Sequence, residues 1–199
     1  ATSGGLHGVG ISVVNALSET MEVEVARDRV LWKQGYAQGK PTTKLINAGP
    51  VHNRRGTTIR FKPDASIFGP QAFIPARLYR LCRSKAYLFR GVEIRWACAP
   101  ALLKGGKDET PAEAVLHFPG GLRDSLEADI GEAGRVLPQI WAGEADLPGE
   151  AVGRLEWAVS WLETGDGFLN SYCNTVRTPQ GGAHESVFRA ALVKGLRAW

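Results

Sequence analysis

Gly4, Gly5, Gly8 and Gly10 fall within seven residues near the start of the sequence, and Ile11-Ser12-Val13-Val14-Asn15-Ala16-Leu17-Ser18 follows as one apolar helical pattern. Glycine tolerates positive φ and lets a ligand approach the main chain. A helix start presents unpaired N–H groups and the positive end of the helix dipole. Together these suit an anion, and phosphate above all. The same residues serve equally as a tight loop closing onto a core helix. The order Gly-x-x-Gly-x-Gly is not the Gly-x-Gly-x-x-Gly of a dinucleotide fold, and no Lys followed by Ser or Thr completes a Walker loop. His7 is a candidate general base inside the loop.

Other reactive residues form no constellation. His52 and His117 are isolated, with no partner at ligand spacing. Cys82, Cys98 and Cys173 are odd in number, far apart and without a Cys-x-x-Cys pair. Such usage points to reduced, mostly buried thiols in a cytosolic protein rather than a zinc site or disulfide frame. Arg77, Arg80, Arg83 and Arg90 could meet phosphate, but their spacing suits a solvated helix face. The net charge of +4 allows contact with DNA without requiring it.

The 199 residues, 44% hydrophobic and 22% charged, suffice for one domain or two small ones with a real core. No apolar run approaches the roughly 18 residues of a membrane span, and no signal peptide opens the sequence. After the first helix, Met21–Ala26 alternates as a strand, Arg27-Asp28-Arg29 turns, and Val30–Tyr36 returns as the other half of a hairpin. Residues 39–55 read as a loop around a short strand at Thr43–Ile46. Thr57–Phe61 is a further strand, ended by Lys62-Pro63-Asp64. Pro75–Phe89 is a helix with proline in its first turn. Val92–Cys98 and Ala114–Phe118 are strands joined through a turn at Lys104–Asp108. To this point the pattern is an antiparallel sheet with helices on one face.

At Pro119-Gly120-Gly121 the texture changes, and a domain boundary is expected there. A helix over Leu122–Ile130, a connection over Gly131–Gly153, strands at Glu156–Leu162 and Phe168–Asn174, and a helix over Glu185–Ala198 complete the sequence.

The wording of the glycine loop carries more than its spacing. Gly5-Leu6-His7-Gly8-Val9-Gly10-Ile11-Ser12-Val13-Val14-Asn15-Ala16-Leu17-Ser18 resembles the ATP-lid segment of the B subunits of bacterial type II topoisomerases, members of the GHKL ATPases. Gly56-Thr57-Thr58-Ile59-Arg60-Phe61 is similar to that family's Gly-Thr-x-x-x-Phe strand on the adenine side of the pocket. Gln180-Gly181-Gly182-Ala183-His184 resembles the Gly-Gly-Thr-His turn of its transducer domain, with Ala183 where Thr is usual. Ser84-Lys85-Ala86-Tyr87-Leu88, Gly91-Val92-Glu93-Ile94 and Pro179-Gln180-Gly181-Gly182 resemble the topoisomerase IV branch more than the gyrase branch.

The resemblance implies an α+β fold: the C-terminal part of a GHKL (Bergerat-type) α/β sandwich over residues 1–119, then the start of a ribosomal S5 domain 2-like transducer over 120–199. It implies that Gly5, Leu6, His7, Gly8, Val9, Gly10 and Ile11 contact the phosphates of ATP, with Leu6 and Val9 anchoring the loop to the core. His7 is then a positioning group rather than a base. Thr57 would hold a bridging water to adenine, or be a plain β-branched strand residue. Arg27 would stand at the pocket mouth, or be a solvated hairpin charge. Gln180 and His184 would be structural.

By the same resemblance, no catalytic residue lies in this sequence. The water-positioning glutamate, the asparagine holding Mg2+ and the adenine-reading aspartate would precede Ala1, and the γ-phosphate lysine would follow Trp199. The sequence is accordingly expected to be part of a longer chain and inactive alone. The implied partners are the A subunit in an A2B2 heterotetramer, DNA, and a second B subunit in ATP-dependent dimerisation, in the bacterial cytoplasm. The alternatives are another GHKL ATPase (gyrase B, mismatch-repair or chaperone type) or a nucleotide-binding module without catalysis.

Overall fold

The computed structural model describes residues 8–70, 73–103, 110–147 and 153–198. They divide into two compact units, Ala1–Ala72 and Phe73–Trp199. The expected boundary at 119–121 therefore falls inside the second unit.

The first unit opens with α1 (Gly10–Ala16), followed by β1 (Ser18–Arg27), β2 (Val30–Ala37), β3 (Lys40–Pro41), β4 (Ile46–Pro50), β5 (Gly56–Pro63) and α2 (Ala65–Phe68). The antiparallel sheet runs β3-β2-β1-β5, with β4 also paired to β2. Asp28 and Arg29, both at positive φ, make the two-residue turn that matches the twist of a hairpin. Because side chains alternate, Met21, Val23 and Val25 share one face with their β5 partners Phe61, Ile59 and Thr57. Met21 is buried, whereas Ile59 and Phe61 are 40% and 44% exposed. The other face is a lattice of ion pairs, including Arg60 with Glu22 and Lys62 with Glu19. A groove of about 600 Å³ crosses that face beside Thr42 and Thr43, but its Lys33, Arg60 and Lys62 are each already matched to a carboxylate.

The second unit comprises α3 (Pro75–Leu88), β6 (Glu93–Ala97), β7 (Glu113–His117), α4 (Leu122–Ile130), β8 (Trp141–Asp146), β9 (Arg154–Val159), β10 (Tyr172–Cys173), β11 (Val176–Arg177) and α5 (Ala183–Ala198). The strands pair antiparallel as β6–β7, β8–β9 and β10–β11. In α3, Ala86 and Tyr87 are buried; Tyr87 meets Phe118 edge-on at 6.0 Å, and Tyr79 meets Trp96 at 5.5 Å. Arg83 Nη2 binds Asp129 Oδ1 of α4 at 2.7 Å.

Several expectations shift. The strand expected at Thr43–Ile46 begins only at Ile46, because Thr43 instead accepts from the Gly35 N–H. β6 and β7 form a ladder of their own within the second unit. The connection over Gly131–Gly153 contains β8, whose Gly143 leaves room for the Trp157 ring: a β-carbon there would stand 2.6 Å from Trp157 Cζ2. The strand expected over Phe168–Asn174 contracts to Tyr172–Cys173, with Phe168 and Leu169 exposed. The turn expected at Lys104–Asp108 lies outside the described residues. Cys82 and Cys98 are half-buried, but Cys173 is exposed; all three are free.

Candidate nucleotide site

Gly5, Leu6 and His7 lie outside the described residues, while Gly8, Val9, Gly10 and Ile11 lie within them. Gly8 has φ +66°, a conformation that a side chain would strain. A β-carbon at Gly8 or Gly10 would meet no atom within 4 Å. The main chain is therefore bare at both positions, as close approach of a phosphate requires. The expected anchoring by Val9 is corrected: Val9 is 51% exposed, and α1 buries none of its side chains. Its support comes from the root of the helix, where the Asp64 N–H donates to Leu17 O at 3.0 Å and the Gln38 N–H to Ser18 O at 2.9 Å.

Thr57 lies on β5 opposite Val25, exposed on the apolar face. Arg27 follows Val25 by two residues, so Thr57 and Arg27 share one face at one end of the sheet. Arg27 is exposed and pairs only loosely with Asp28, Nε to Oδ2 at 3.5 Å. The root of α1 is at the other end of β1, about 23 Å along the strand from Val25 at the usual rise per residue. Thr57 with Arg27 and the C-terminal root of α1 thus lie at opposite ends of β1.

The remaining candidates are structural. Arg83 and Arg90 are paired: Arg83 holds Asp129, and Arg90, itself exposed, bridges Glu144 at 3.0 Å and Glu156 at 3.2 Å. His184 Nε2 lies 3.3 Å from Thr178 Oγ1, and Ser171 Oγ donates to Glu185 Oε2 at 3.1 Å, fastening the turn before α5. Sequence reasoning passed over Asp64 as a strand terminator. Its carboxylate caps α2 through Ser66 N and Ser66 Oγ and accepts from Gln38 Nε2. The Asp-x-Ser at a helix start was the available signal.

Among the described residues, no group of three His, Cys, Asp or Glu could hold a metal ion. The residues fit ATP in part, through a bare glycine main chain and a hydroxyl on an open sheet face. No helix among them is long and apolar enough to cross a membrane.

The mixed α/β fold with antiparallel sheets is that of the GHKL ATPase domains. It is similar to the 43K ATPase domain of Thermus thermophilus gyrase B, solved in complex with an aminocoumarin, at TM-score 0.75 and 27% identity over 96% of this chain and 50% of that one. It is similar also to the B-subunit of the DNA gyrase from Myxococcus xanthus at TM-score 0.74 and 28% identity, covering 92% of this chain and 50% of that one. The family model of DNA gyrase B matches residues 121–199. Along its whole length the sequence is 53% identical to the DNA topoisomerase 4 B-subunit of Caulobacter vibrioides and 50% identical to that of Bartonella bacilliformis. The chain belongs to the B-subunit family of the bacterial type II topoisomerases. It spans 28% of the length of each of these two relatives.

Proposed function

We propose that the protein carrying this chain is the ATP-binding subunit of a type II DNA topoisomerase of the topoisomerase IV branch. The observation that carries this reading is the 53% identity to a topoisomerase 4 B-subunit across all of the chain. Gly5, Leu6, His7, Gly8, Val9, Gly10 and Ile11 form the lid over the phosphates, Thr57 serves adenine, and Arg27 stands at the pocket mouth. The bare main chain at Gly8 and Gly10 and the exposed Thr57 support these assignments. Residues 120–199 begin the transducer domain, a reading supported by the family match from residue 121.

ATP, when bound, would supply the phosphoryl group that hydrolysis releases. The chain's own part is to cover and orient the nucleotide. The groups that activate water, and the ligands of Mg2+, lie elsewhere in the protein. The partners are the A subunit, in an A2B2 assembly, and DNA. ATP dimerises the B subunits, and the enzyme works in the cytoplasm.

The test is decatenation and relaxation of circular DNA by the full-length protein with its A subunit. ATP-dependent decatenation is expected, and absence of both activities overturns the proposal. Because the family match over 121–199 is to gyrase B, supercoiling of relaxed DNA in the same assay would place the protein in the gyrase branch instead.

A further inference from the structure

At one end of the first unit's sheet, two loops are stitched together through the main chain. The β1–β2 turn is Arg27-Asp28-Arg29, and the loop before β5 is Val51-His52-Asn53-Arg54-Arg55. The Val51 N–H donates to Arg29 O at 2.8 Å, and Ala26 pairs with Gly56, the residue after Arg55. Four exposed arginines are thereby gathered at the ends of three neighbouring strands, β5, β1 and β2. Arg54 is held by Glu24 at 2.6 Å, and Arg27 pairs only loosely with Asp28, the one carboxylate in these two loops. Arg29 and Arg55 make no ion pair among the described residues. Further along the same sheet, Lys33, Arg60 and Lys62 each face a glutamate. Positive charge is left over at this end.

Arg29 stands at φ +61° in the second position of its two-residue turn. Glycine is the favoured residue there, and a side chain in that backbone region costs stability. Among the described residues, no hydrogen bond or ion pair of the Arg29 side chain offsets that cost. A guanidinium kept at such a position, exposed and unmatched, points to a ligand outside the chain. Guanidinium forks suit phosphate oxygens in particular. Neighbouring strands lie about 4.8 Å apart, so three strand ends spread the rim over about 10 Å. Each strand of duplex DNA carries a phosphate about every 3.4 Å of helix axis, so about three fall within that width. Trp, Tyr and Phe are absent from both loops, so the rim offers charge to a backbone rather than a platform for unpaired bases.

We propose that this rim is a contact surface for the phosphodiester backbone of duplex DNA, carried chiefly by Arg29 and Arg55. This rests on the reading of the protein as a DNA topoisomerase, which brings the duplex to it. The Glu24 grip on Arg54 ties the loop that bears Arg55 to the middle of β1, so the contact is made from a fixed base. Contacts of this kind set the salt dependence of DNA binding and carry no sequence preference.

The full-length protein and its variants are titrated with a short labelled duplex of mixed sequence at several salt concentrations. Melting temperature and binding of a non-hydrolysable ATP analogue are measured alongside. Arg29→Gly is expected to weaken DNA binding about threefold to fivefold and to lower the slope of log affinity against log salt by about one. Its melting temperature is expected to stay at or above the parent's, because glycine relieves the turn. Arg55→Gln is expected to weaken DNA binding as Arg29→Gly does, whereas Arg55→Lys keeps the charge and is expected to stay within about twofold of the parent. Affinity for the ATP analogue is expected to be unchanged in all three. Unchanged DNA affinity and salt slope in Arg29→Gly and Arg55→Gln overturn the proposal. So does a loss that Arg55→Lys shares, a loss that comes with a lower melting temperature, or a loss of analogue affinity in place of DNA affinity. Decatenation by the parent with its A subunit separates the two readings. A parent that decatenates while its variants bind DNA as it does overturns this inference alone, and a parent that neither acts on DNA nor binds it overturns both.

Discussion

Arg54 Nη2 donates to Glu24 Oε2 at 2.6 Å, fastening the loop before β5 to the middle of β1. Lys33 Nζ takes the other carboxylate oxygen, also at 2.6 Å, from β2. One carboxylate, 6% exposed, thereby joins three successive parts of the sheet. Donation from Lys33, then from Arg54, lowers its pKa to about 2 against the desolvation that opposes it. A carboxylate lowered in the folded state stabilises above its ordinary value of 4.5, and that contribution is lost as pH falls from there through about 2. Glu24→Gln is therefore expected to lower the urea midpoint at neutral pH, with the gap to the parent narrower at about pH 3 than at about pH 5 and still shrinking towards about pH 2. Denaturation followed by circular dichroism at both pH values checks this, and a gap independent of pH contradicts it.

Gly121 has φ +63°, and a β-carbon there would stand 2.6 Å from Arg90 Nε. Gly121→Ala is expected to cost about 1–2 kcal/mol from the left-handed backbone alone, plus the displacement of Arg90 from Glu144 and Glu156. A double-mutant cycle with Arg90→Ala separates the two parts. The cost of Gly121→Ala should be smaller when Arg90 is already gone, and strict additivity would mean that the two residues do not meet.

Asn174 and Thr175 form the two-residue turn of the β10–β11 hairpin, with φ of 47° and 65°. A β-branched residue is poorly suited to that conformation, and Asn-Gly is the favoured pair for such turns. The turn persists because Lys85 Nζ donates to Thr175 O at 2.9 Å and to Thr175 Oγ1 at 3.1 Å. Thr175→Gly keeps the carbonyl contact and relieves the backbone, so a gain of about 0.5–1 kcal/mol is expected. Lys85→Met should destabilise. Thermal melts of both variants decide it, and a destabilised Thr175→Gly would show that the lost hydroxyl contact outweighs the relief.

The Tyr87 and Tyr172 hydroxyl oxygens lie 2.5 Å apart. Burial first, and then the hydrogen bond to Tyr172, raise the Tyr87 phenol well above its usual range. A raised pKa adds stability below the unfolded value, lost as pH rises beyond it, so alkali should act on this pair. In an alkaline absorbance titration, one of the four tyrosines is expected to ionise late, and only as the fold opens. Tyr87→Phe should remove that late step; its persistence in the variant would assign it to another residue.

The elements most legible in the sequence were those whose local pattern and tertiary role agree. Met21–Ala26 and Val30–Tyr36 alternate, flank a short polar turn, and are β1 and β2 extended by a few residues. Pro75 marks the start of α3, and the helix expected over Leu122–Ile130 is α4. β8 was illegible because Trp-Ala-Gly-Glu-Ala-Asp lacks β-branched residues, and its glycine serves a tryptophan on the neighbouring strand. Phe168 and Leu169 invited a strand, but strand pairing stops short of them and both are exposed. At the candidate site, the glycine loop and Thr57 stood out by wording. Gln38 and Asp64 did not, because their roles depend on a contact across 26 residues that no local pattern encodes.

β5 sits at the end of the strand order and pairs with β1 alone among the described strands. That pairing has a consequence in time. The β1–β2 hairpin closes across Asp28 and Arg29, a short loop with little entropy to overcome, whereas β1–β5 must first enclose β2, β3 and β4. Folding should therefore begin with the hairpin and end with β5, the strand that carries Thr57. On a ribosome, the sheet stays incomplete until Pro63 has been made. Thr57 would then be the last of the described candidate residues to take its place.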